Sequence, residues 1–379
     1  MNLKNKRITV VGLGRSGFAA ARLLAQKGAL VFATDGSTKA EVLRNAKALK
    51  RMGVRTETGG HTASFVEGSC LVVASPGVPG SSFPLALAKK KKIPLVSEIE
   101  VASWFCRGAV VGVTGSNGKT TTSHLIHRIF ASAGKKSILC GNVGDPFAGE
   151  LPKVDSKTLV VLELSSFQLE ASPTLRPKIA VVLNISRNHM DRHGTLARYV
   201  AAKEKIFNNQ TKKDLLVLNF DDPLVRKMAR KSRGRVLFTS KRPMARGVFF
   251  RQGKIIAKPF GKELFTLETK KLKLRGDHNL DNILASVAAA SALGIAPRKI
   301  QKALDHFRTL EHRIEPLGEV RGVRFFNDSK STTVESTRAA ISSMPGPVVL
   351  VAGGRDKGAD FGKIEPRLAR RLKSAVLYG

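Results

Sequence analysis

The stretch Gly112-Val113-Thr114-Gly115-Ser116-Asn117-Gly118-Lys119-Thr120-Thr121 lies between an apolar run that indicates a strand (residues 109–113) and a helical stretch (about residues 119–133). Glycines let backbone N–H groups approach a phosphate, and the helix amino terminus adds positive partial charge. Lys119 is placed to reach the β- and γ-phosphates of a nucleotide, and Thr120 to hold Mg²⁺. The strict phosphate-loop pattern fails at its first glycine, where Val113 stands. The position between strand and helix nevertheless favours an ATP site over a structural turn.

Strands and helices alternate on both sides of this loop, which is the pattern of parallel α/β sheets. The pattern starts again twice, at the strand of residues 109–113 and after His312-Arg313. We therefore predict an α/β protein with three domains, at residues 1–107, 108–312 and 313–379. Short alternating runs between residues 248 and 274 predict hairpins at a sheet edge. The other predicted strands are residues 7–11, 30–33, 70–74, 159–164, 179–183, 215–219, 323–327, 348–352 and 375–378, and the other predicted helices are residues 17–27, 98–106, 280–294 and 335–343.

A second glycine turn follows the first predicted strand. Gly12-Leu13-Gly14-Arg15-Ser16-Gly17, with Asp35 at the end of the next strand, fits a nucleotide-binding Rossmann turn in which Asp35 faces a ribose or base. The pattern is weak when it stands alone, because a tight turn that binds nothing has the same glycines. It also leaves open an NAD(P)-dependent oxidoreductase, although that function would not explain the loop at residues 114–121.

Polar clusters follow several other predicted strands. Glu163 ends the strand of residues 159–164, and the segment 184–194, which contains His189, follows the strand of residues 179–183. Segments 327–332 and 353–358 hold the same position in the third unit. Ligands gather at the carboxyl ends of strands in open α/β sheets, and a carboxylate near a phosphate loop is a natural Mg²⁺ ligand. Each cluster alone fits a solvated loop or a helix cap, but the set indicates a site.

Composition sets limits on the class of protein. The 65 Lys and Arg against 29 Asp and Glu give a net charge of +36, which favours a polyanionic partner such as nucleic acid. The basic residues are scattered, however, and one Trp and two Tyr offer little base stacking. We therefore expect anionic small substrates and no nucleic-acid partner. The 3 cysteines form no CxxC pair, and the longest apolar run (residues 283–296) is too short to span a membrane. A cytoplasmic protein without membrane insertion is expected.

Taken together, these motifs resemble the Mur ligase family, whose members are three-domain ATP-dependent amide-forming enzymes similar to folylpolyglutamate synthetase. The resemblance rests on TGSNGKTT (residues 114–121), EHR (311–313) and NDSKST (327–332). VGLGRSG (11–17), SPGVP (75–79), ELSSFQLE (163–170), HMDRHG (189–194) and YVAAK (199–203) resemble the D-glutamate-adding branch. The match runs from the first strand to residue 379. It implies a Rossmann-like N-terminal domain, a central domain like P-loop ATPases and a Rossmann-like C-terminal domain.

The resemblance also implies a role for each matched residue. The ATP-binding residues would be Thr114, Gly115, Ser116, Asn117, Gly118, Lys119, Thr120, Thr121, Asn282, Arg313 and Asp328. The residues for the UDP-linked muramoyl-alanine precursor would be Gly14, Arg15, Ser16, Asp35, Ser75, Gly77, Asn142, Ser165, Gln168 and His189. D-Glutamate would meet Lys330, Thr332 and Lys357. Mg²⁺ would be held by Thr120, Glu163, His189 and Lys203. Lys203 matches a lysine that the family carbamylates, and the catalytic set would be Lys119, His189, carbamylated Lys203 and Arg313.

The implied reaction is ATP-dependent addition of D-glutamate to UDP-N-acetylmuramoyl-L-alanine through an acyl phosphate, by a monomer that makes peptidoglycan precursors. Two departures from the family pattern stand out. Asn188 replaces an aspartate before His189, and the family continues beyond residue 379, so an incomplete C-terminal domain is expected. Another amino-acid ligase of the same family, or a fragment without catalytic activity, remains an alternative.

Overall fold

The computed structural model describes residues 2–259, 264–274, 276–332, 334–344, 346–354, 368 and 370–378. The first sheet and its helices comprise β1 (Arg7–Val11), α1 (Arg15–Gln26), β2 (Leu30–Asp35), α2 (Ala40–Lys50), β3 (Arg55–Thr58), β4 (Leu71–Ala74), α3 (Phe83–Lys90), β5 (Leu95–Ser97) and α4 (Glu98–Phe105). The 5 strands are parallel in the order β3-β2-β1-β4-β5. The apolar strand β1 lies at the centre and the polar strand β3 at an edge, so the glycine turn after β1 opens beside the middle of the sheet.

The second sheet contains the phosphate-loop strand. Its elements are β6 (Ala109–Thr114), α5 (Lys119–Ser132), β7 (Ser137–Gly141), α6 (Phe147–Glu150), β8 (Leu159–Glu163), α7 (Ser166–Glu170), β9 (Ile179–Val182), α8 (Met190–His193), α9 (Leu196–Glu204), β10 (Leu215–Asn219), α10 (Pro223–Lys227), β11 (Arg235–Ser240), β12 (Gly247–Arg251), β13 (Lys254–Lys258), β14 (Phe265–Glu268), α11 (Asp277–Ala292) and α12 (Pro297–His306). The 9 strands follow the order β14-β13-β12-β11-β10-β9-β6-β8-β7. Strands β6 to β12 run parallel, and β12, β13 and β14 form antiparallel hairpins at one edge.

The third part of the chain forms two small sheets. Strands β15 (Glu315–Val320) and β16 (Val323–Asn327) make an antiparallel hairpin. Helix α13 (Val334–Ser343) follows, and β17 (Val348–Gly353) pairs in parallel with β18 (Leu372–Tyr378). The residues that join this part to the second sheet lie next to the phosphate loop.

The first two units share one apolar core. Leu24 of α1 and Val101 of α4 belong to the same buried cluster as Phe147 of α6. Polar contacts add to this packing: Glu98, at the start of α4, accepts a hydrogen bond from the Ala148 N–H, and burial raises the pKa of its carboxyl to about 7. The shared core therefore fixes how the carboxyl edges of the two sheets face each other.

The α/β fold class predicted from the sequence is confirmed, and the hairpins between residues 248 and 274 occur as β12, β13 and β14. Most predicted strands differ from the observed ones by one or two residues at an end. The pattern did not reveal the helices α2, α3, α6, α7, α8, α10 and α12 or the strands β3, β5, β7, β11 and β15. Strand β3 reads Arg-Thr-Glu-Thr and is mostly half-buried, so it lacks the apolar run that marks a central strand.

Candidate active site

The phosphate loop connects β6 to α5 through two glycines with special backbone angles. Gly115 has φ +158° and Gly118 has φ +83°, and Gly118 precedes the first residue of α5. A Cβ atom on Gly118 would lie 2.1 Å from Oδ1 of Asn282, on the buried helix α11. Only glycine lets the loop pass so close to Asn282, and the free amino end of α5 points into the cleft.

The segment after β9 holds the loop from the other side. The Asn117 N–H donates to Oδ1 of Asn184 at 2.8 Å, and the Asn184 amide donates back to the Asn117 carbonyl at 3.1 Å. The Ser116 hydroxyl donates to the Ser186 carbonyl at 3.1 Å and accepts from the Ser186 N–H at 2.8 Å. Two neighbouring strand ends are thus tied together, which makes the loop a preformed cradle.

Lys119 folds back over the loop. Its Nζ donates to the carbonyls of Gly115 at 2.8 Å and Ser116 at 2.9 Å. Burial lowers the pKa of this ammonium, the carboxylate of Glu163 acts in the opposite direction, and Arg313 adds to the lowering. A triphosphate that entered the cradle would add negative charge beside this ammonium to that of Glu163.

Glu163 ends strand β8 and is only 1% exposed. Its Oε1 accepts from the Asn142 amide at 2.8 Å, whereas Oε2 is buried without a hydrogen-bond partner. A buried anionic oxygen without a donor is costly unless a cation faces it. Among the described residues no group of 3 or more His, Cys, Asp and Glu could hold a metal ion. Mg²⁺ usually binds through one or two carboxylates together with substrate phosphates, and Glu163 fits that pattern.

Lys203 is 1% exposed and lies directly under the loop. Its Nζ donates to the Gly115 carbonyl at 2.9 Å and to Oγ1 of Thr114 at 3.4 Å. Burial moves the pKa of this amine well below its ordinary value, and the neighbouring Lys119 lowers it further while Glu163 opposes the shift. A buried lysine in this position is therefore neutral more readily than a surface lysine, and a neutral amine is nucleophilic.

Arg313 connects the third part of the chain to the loop. Its guanidinium donates to Oγ1 of Thr120 at 3.0 Å. Asp328 holds the joint in shape, because it accepts from the Ile314 N–H at 3.0 Å and from the Ser331 hydroxyl at 2.5 Å. The third part thus forms one wall of the cleft at the phosphate loop.

A cavity of about 1060 Å³ collects most of the residues predicted for ATP, metal and D-glutamate. Those that line it are Ser116, Asn117, Gly118, Lys119, Thr120, Thr121, Asn142, Glu163, His189, Asn282, Arg313, Asp328, Lys330 and Thr332. Thr114 and Gly115, at the start of the loop, and Lys203, beneath it, do not line the cavity. Lys357 is outside the described residues.

A second cavity, of about 670 Å³, lies at the glycine turn of the first unit. The predicted precursor residues that line it are Gly14, Arg15, Ser16, Asp35, Ser75, Gly77, Asn142 and Gln168. Ser165 does not line it but forms the capping box of α7 together with Gln168, and His189 lines the larger cavity instead. Asp35 accepts from the N–H groups of Leu13 at 2.6 Å and Ser37 at 2.8 Å, so its carboxylate holds the turn as well as facing the cavity.

Several residues at the two cavities were not assigned from the sequence. His61 and Ser82 line the smaller cavity, and His278 and Asp281 line the larger one. Burial raises the pKa of Asp281 to about 6, although Lys241 lies 3.4 Å away and opposes the shift. Asn184 belongs to the segment 184–194 after β9, but it was not assigned a role from the sequence. It bonds to Asn117 across the ends of two neighbouring strands, and no local sequence pattern shows such a contact.

Comparison with known proteins gives the family of the chain. The family model "Mur ligase MurD-like, N-terminal domain" matches residues 6–97, and "Mur ligase middle domain" matches residues 113–290. This chain belongs to the Mur ligase family. The UDP-N-acetylmuramoylalanine–D-glutamate ligase of Pelotomaculum thermopropionicum is 41% identical to this Mur ligase over 375 residues, 99% of this chain and 82% of the relative. The enzyme of the same name from Geotalea uraniireducens is 42% identical over 381 residues, 100% of this chain and 84% of the relative.

Solved structures agree with the fold of this Mur ligase. MurF from Acinetobacter baumannii has a TM-score of 0.63 at 18% identity, covering 98% of this chain and 80% of that one. The UDP-N-acetylmuramate–alanine ligase of Thermotoga maritima has a TM-score of 0.61 at 20% identity, covering 98% of this chain and 84% of that one. The predicted family and ligase class are confirmed. No helix in the described part of the chain is long and apolar enough to cross a membrane.

Proposed function

We propose that this Mur ligase uses ATP and Mg²⁺ to add D-glutamate to UDP-N-acetylmuramoyl-L-alanine in the cytoplasm, acting as a monomer. In this proposal residues 1–107 bind the UDP-linked precursor, residues 108–312 bind ATP, and residues 313–379 contribute to the amino-acid site. The relatives of about 40% identity that carry this activity in their names support the choice of substrates.

The observation that carries the proposal is the position of Asn142. It lines both cavities, and its amide is bonded to Glu163 at 2.8 Å. A precursor whose nucleotide end lies at the glycine turn of β1 can therefore extend past Asn142 and bring its alanyl carboxylate to the phosphate loop. An oxidoreductase built on the first turn alone would not need this connection.

In the first step an oxygen of the alanyl carboxylate attacks the γ-phosphorus of ATP. A new carboxyl O–P bond forms, the bond to the β–γ bridging oxygen breaks, and ADP leaves. Such a transfer depends on positioning and on charge neutralisation. Lys119 and Arg313 are the cations at the loop that would offset the charge of the triphosphate meeting a carboxylate.

The cation site proposed for Mg²⁺ consists of the free Oε2 of Glu163 and the Thr120 hydroxyl, with His189 at the same cavity. When bound, the ion would neutralise phosphate oxygens and fix their orientation. Asn188 cannot supply the charge of the aspartate that the family has at that position, so Glu163 carries more of the charge balance in this chain.

Lys203 is proposed to react with CO₂. Its neutral Nζ would attack the carbon of CO₂, form an N–C bond and lose a proton, which leaves an anionic carbamate. The lowered pKa favours the neutral amine that reacts, and the carbamate would place an anion next to the ammonium of Lys119. The product would compensate the charge of Lys119 and could reach the metal through its oxygens.

In the second step the amine of D-glutamate attacks the carbonyl carbon of the acyl phosphate, and inorganic phosphate leaves. Lys330 and Thr332 line the cavity from the third part of the chain and would meet the D-glutamate carboxylates; Lys357 is assigned to the same role by resemblance. Because Arg313 lies at the joint, closure of the third part would bring both substrates together and exclude water from the acyl phosphate.

The test is an assay of phosphate release and amide formation with UDP-N-acetylmuramoyl-L-alanine and a panel of D- and L-amino acids. We expect D-glutamate to give the highest kcat/KM, with ADP and amide formed in equal amounts. A higher kcat/KM with another amino acid would reject the D-glutamate specificity but keep the ligase. ATP turnover that is independent of any UDP-linked precursor would reject the proposed function.

A further inference from the structure

The whole chain has a net charge of +36, and in the second sheet the basic residues are not spread evenly between the two ends of the strands. Its active-site loops follow the carboxyl ends of the strands, whereas exposed basic residues precede the amino ends. Six strands are adjacent and parallel in the order β11-β10-β9-β6-β8-β7. Each has an exposed Lys or Arg one or two positions before its first residue. In the order of the sheet these residues are Arg233, Lys213, Lys178, Arg107, Lys157 and Lys136. At a spacing of about 4.8 Å between strands, the row is about 24 Å long.

Few carboxylates offset this row. Asp155 pairs with Lys136 at 2.7 Å, and Asp214 lies 3.6 Å from Lys178. Asp214 is 3% exposed, so its charge lies behind the basic side chains and is not presented on the surface. The amino edge of the sheet therefore faces solvent with a net positive charge.

The first sheet continues the same face. Exposed basic residues also precede its strands: Lys6 before β1, Lys27 before β2 and Arg51 before β3. The ammonium of Lys27 lies 4.9 Å from the ring centre of Phe105, which leads into β6, so the amino edges of the two sheets meet there. On the opposite side Arg15 pairs with Asp145 at 2.7 Å, so the carboxyl edges meet as well. We call the exposed Lys and Arg before the strands of both sheets the amino-edge face.

We propose that the amino-edge face docks this ligase on an anionic phospholipid surface. Lysine and arginine within a Debye length of anionic headgroups are attracted to them without insertion. The face is a broad edge of two sheets and not a groove that follows one strand. Because the substrate cavities open at the carboxyl edges, docking would leave them accessible.

A nucleic acid is a different polyanion and fits this face less well. Binding to single strands uses aromatic rings on which bases stack. Tyr199 is buried, and the indole N–H of Trp104 donates to Glu100 at 3.0 Å and to Thr174 at 3.1 Å. Phe105 at this face is half-buried under the ammonium of Lys27, so the face offers mainly charge, which is the chemistry of headgroup attraction.

The test is co-sedimentation of the chain with phosphatidylcholine vesicles that contain about 30 mol% phosphatidylglycerol, compared with pure phosphatidylcholine, in about 100 mM salt. The face variant is Lys135→Gln/Lys212→Gln/Lys213→Gln, which removes three exposed lysines of the amino edge. The matched control is Lys270→Gln/Lys271→Gln/Lys273→Gln. Those exposed lysines follow β14, whose last residue, Glu268, pairs with Lys254 of β13, and Lys254 pairs in turn with Arg251 at the carboxyl end of β12. Both variants have the same net charge.

We expect binding only to the anionic vesicles, a loss of about tenfold or more in the face variant, and less than about twofold in the control. Equal losses in the two variants would show that net charge alone drives binding and would overturn the proposal. Equal binding to both kinds of vesicle would also overturn it. So would tighter binding to duplex DNA or total RNA, competing with the vesicles at equal phosphate concentration, because the partner would then be a nucleic acid.

Discussion

The two glycine turns of this Mur ligase have the same local design but opposite surroundings. Each connects a parallel strand to a helix, β1 to α1 and β6 to α5. The first turn is held by the carboxylate of Asp35, and its basic residue, Arg15, is exposed and paired with Asp145. The second is held by neutral amides and hydroxyls, and the half-buried Lys119 and the buried Lys203 lie beside it next to Glu163. This contrast is the basis of the proposed division, in which the first turn binds the precursor and the second carries the reaction, because buried charges act on a transition state more strongly than exposed ones.

The largest effect is expected from Lys119→Ala. Removing the loop cation should lower kcat for ATP turnover by about 10³-fold or more, while the Kd of the UDP-linked precursor changes by less than about threefold. Isothermal titration with the precursor and a phosphate-release assay measure the two quantities. Arg15→Ala is the matched variant at the first turn and should weaken precursor binding without a comparable loss of kcat. Equal losses of precursor binding in both variants would contradict the proposal that the first turn binds the precursor and the second turn reacts with ATP.

Lys203→Ala should lower kcat by about 10²- to 10³-fold, with partial rescue by acetate, whose carboxylate can enter the space of the carbamate. Lys205→Ala is the control, because Lys205 lies two residues away and donates to the Glu170 carbonyl at 2.7 Å, outside the loop. Activity of the unsubstituted chain should also fall in CO₂-depleted buffer and return with bicarbonate. Full activity of Lys203→Ala under CO₂ depletion would show that no carbamate is needed.

The glycines of the two turns should differ in their tolerance of alanine. Gly118→Ala places a Cβ 2.1 Å from Asn282 at φ +83° and should lower the free energy of unfolding by about 2–4 kcal/mol. At Gly14 no atom lies within 4 Å of an added Cβ, and φ is −67°. Gly14→Ala should therefore change the free energy of unfolding by less than about 1 kcal/mol. Urea unfolding curves of the two variants compare these values. Similar losses would mean that the contact with Asn282 does not constrain the loop.

The smallest effect is expected from Asp35→Asn. The amide can accept only one of the two backbone hydrogen bonds that the carboxylate accepts from Leu13 and Ser37. We expect the KM for the precursor to rise by about tenfold, which corresponds to a loss of roughly 1.4 kcal/mol, while the KM for ATP stays within about twofold. Steady-state kinetics with each substrate varied in turn measure both constants. A similar rise in the KM for ATP would mean that the hydrogen bonds of Asp35 at the first turn also affect ATP binding at the second turn.

Much of this comparison could be predicted from the sequence, because glycine turns and strand ends are local features. Residues 12–17 and 114–121, Asp35 and Glu163 were all located by a strand, a turn and a following helix. The surroundings could not be predicted, since the clamp between Asn117 and Asn184 and the free oxygen of Glu163 depend on which strands are neighbours. The asymmetry of the amino-edge face was also hidden, because Arg107 and Arg233 are far apart in sequence and become members of one row only in the folded sheet.

In the proposed reaction the γ-phosphoryl group of ATP, bound at the second turn, moves to the carboxylate of a precursor held at the first turn. The most direct test uses UDP-N-acetylmuramoyl-L-alanine labelled with ¹⁸O in the alanyl carboxylate, together with ATP, Mg²⁺ and D-glutamate. Transfer through an acyl phosphate moves one labelled oxygen into the inorganic phosphate for each amide formed, which mass spectrometry of the phosphate detects. Released phosphate that carries no label while amide accumulates would contradict the account.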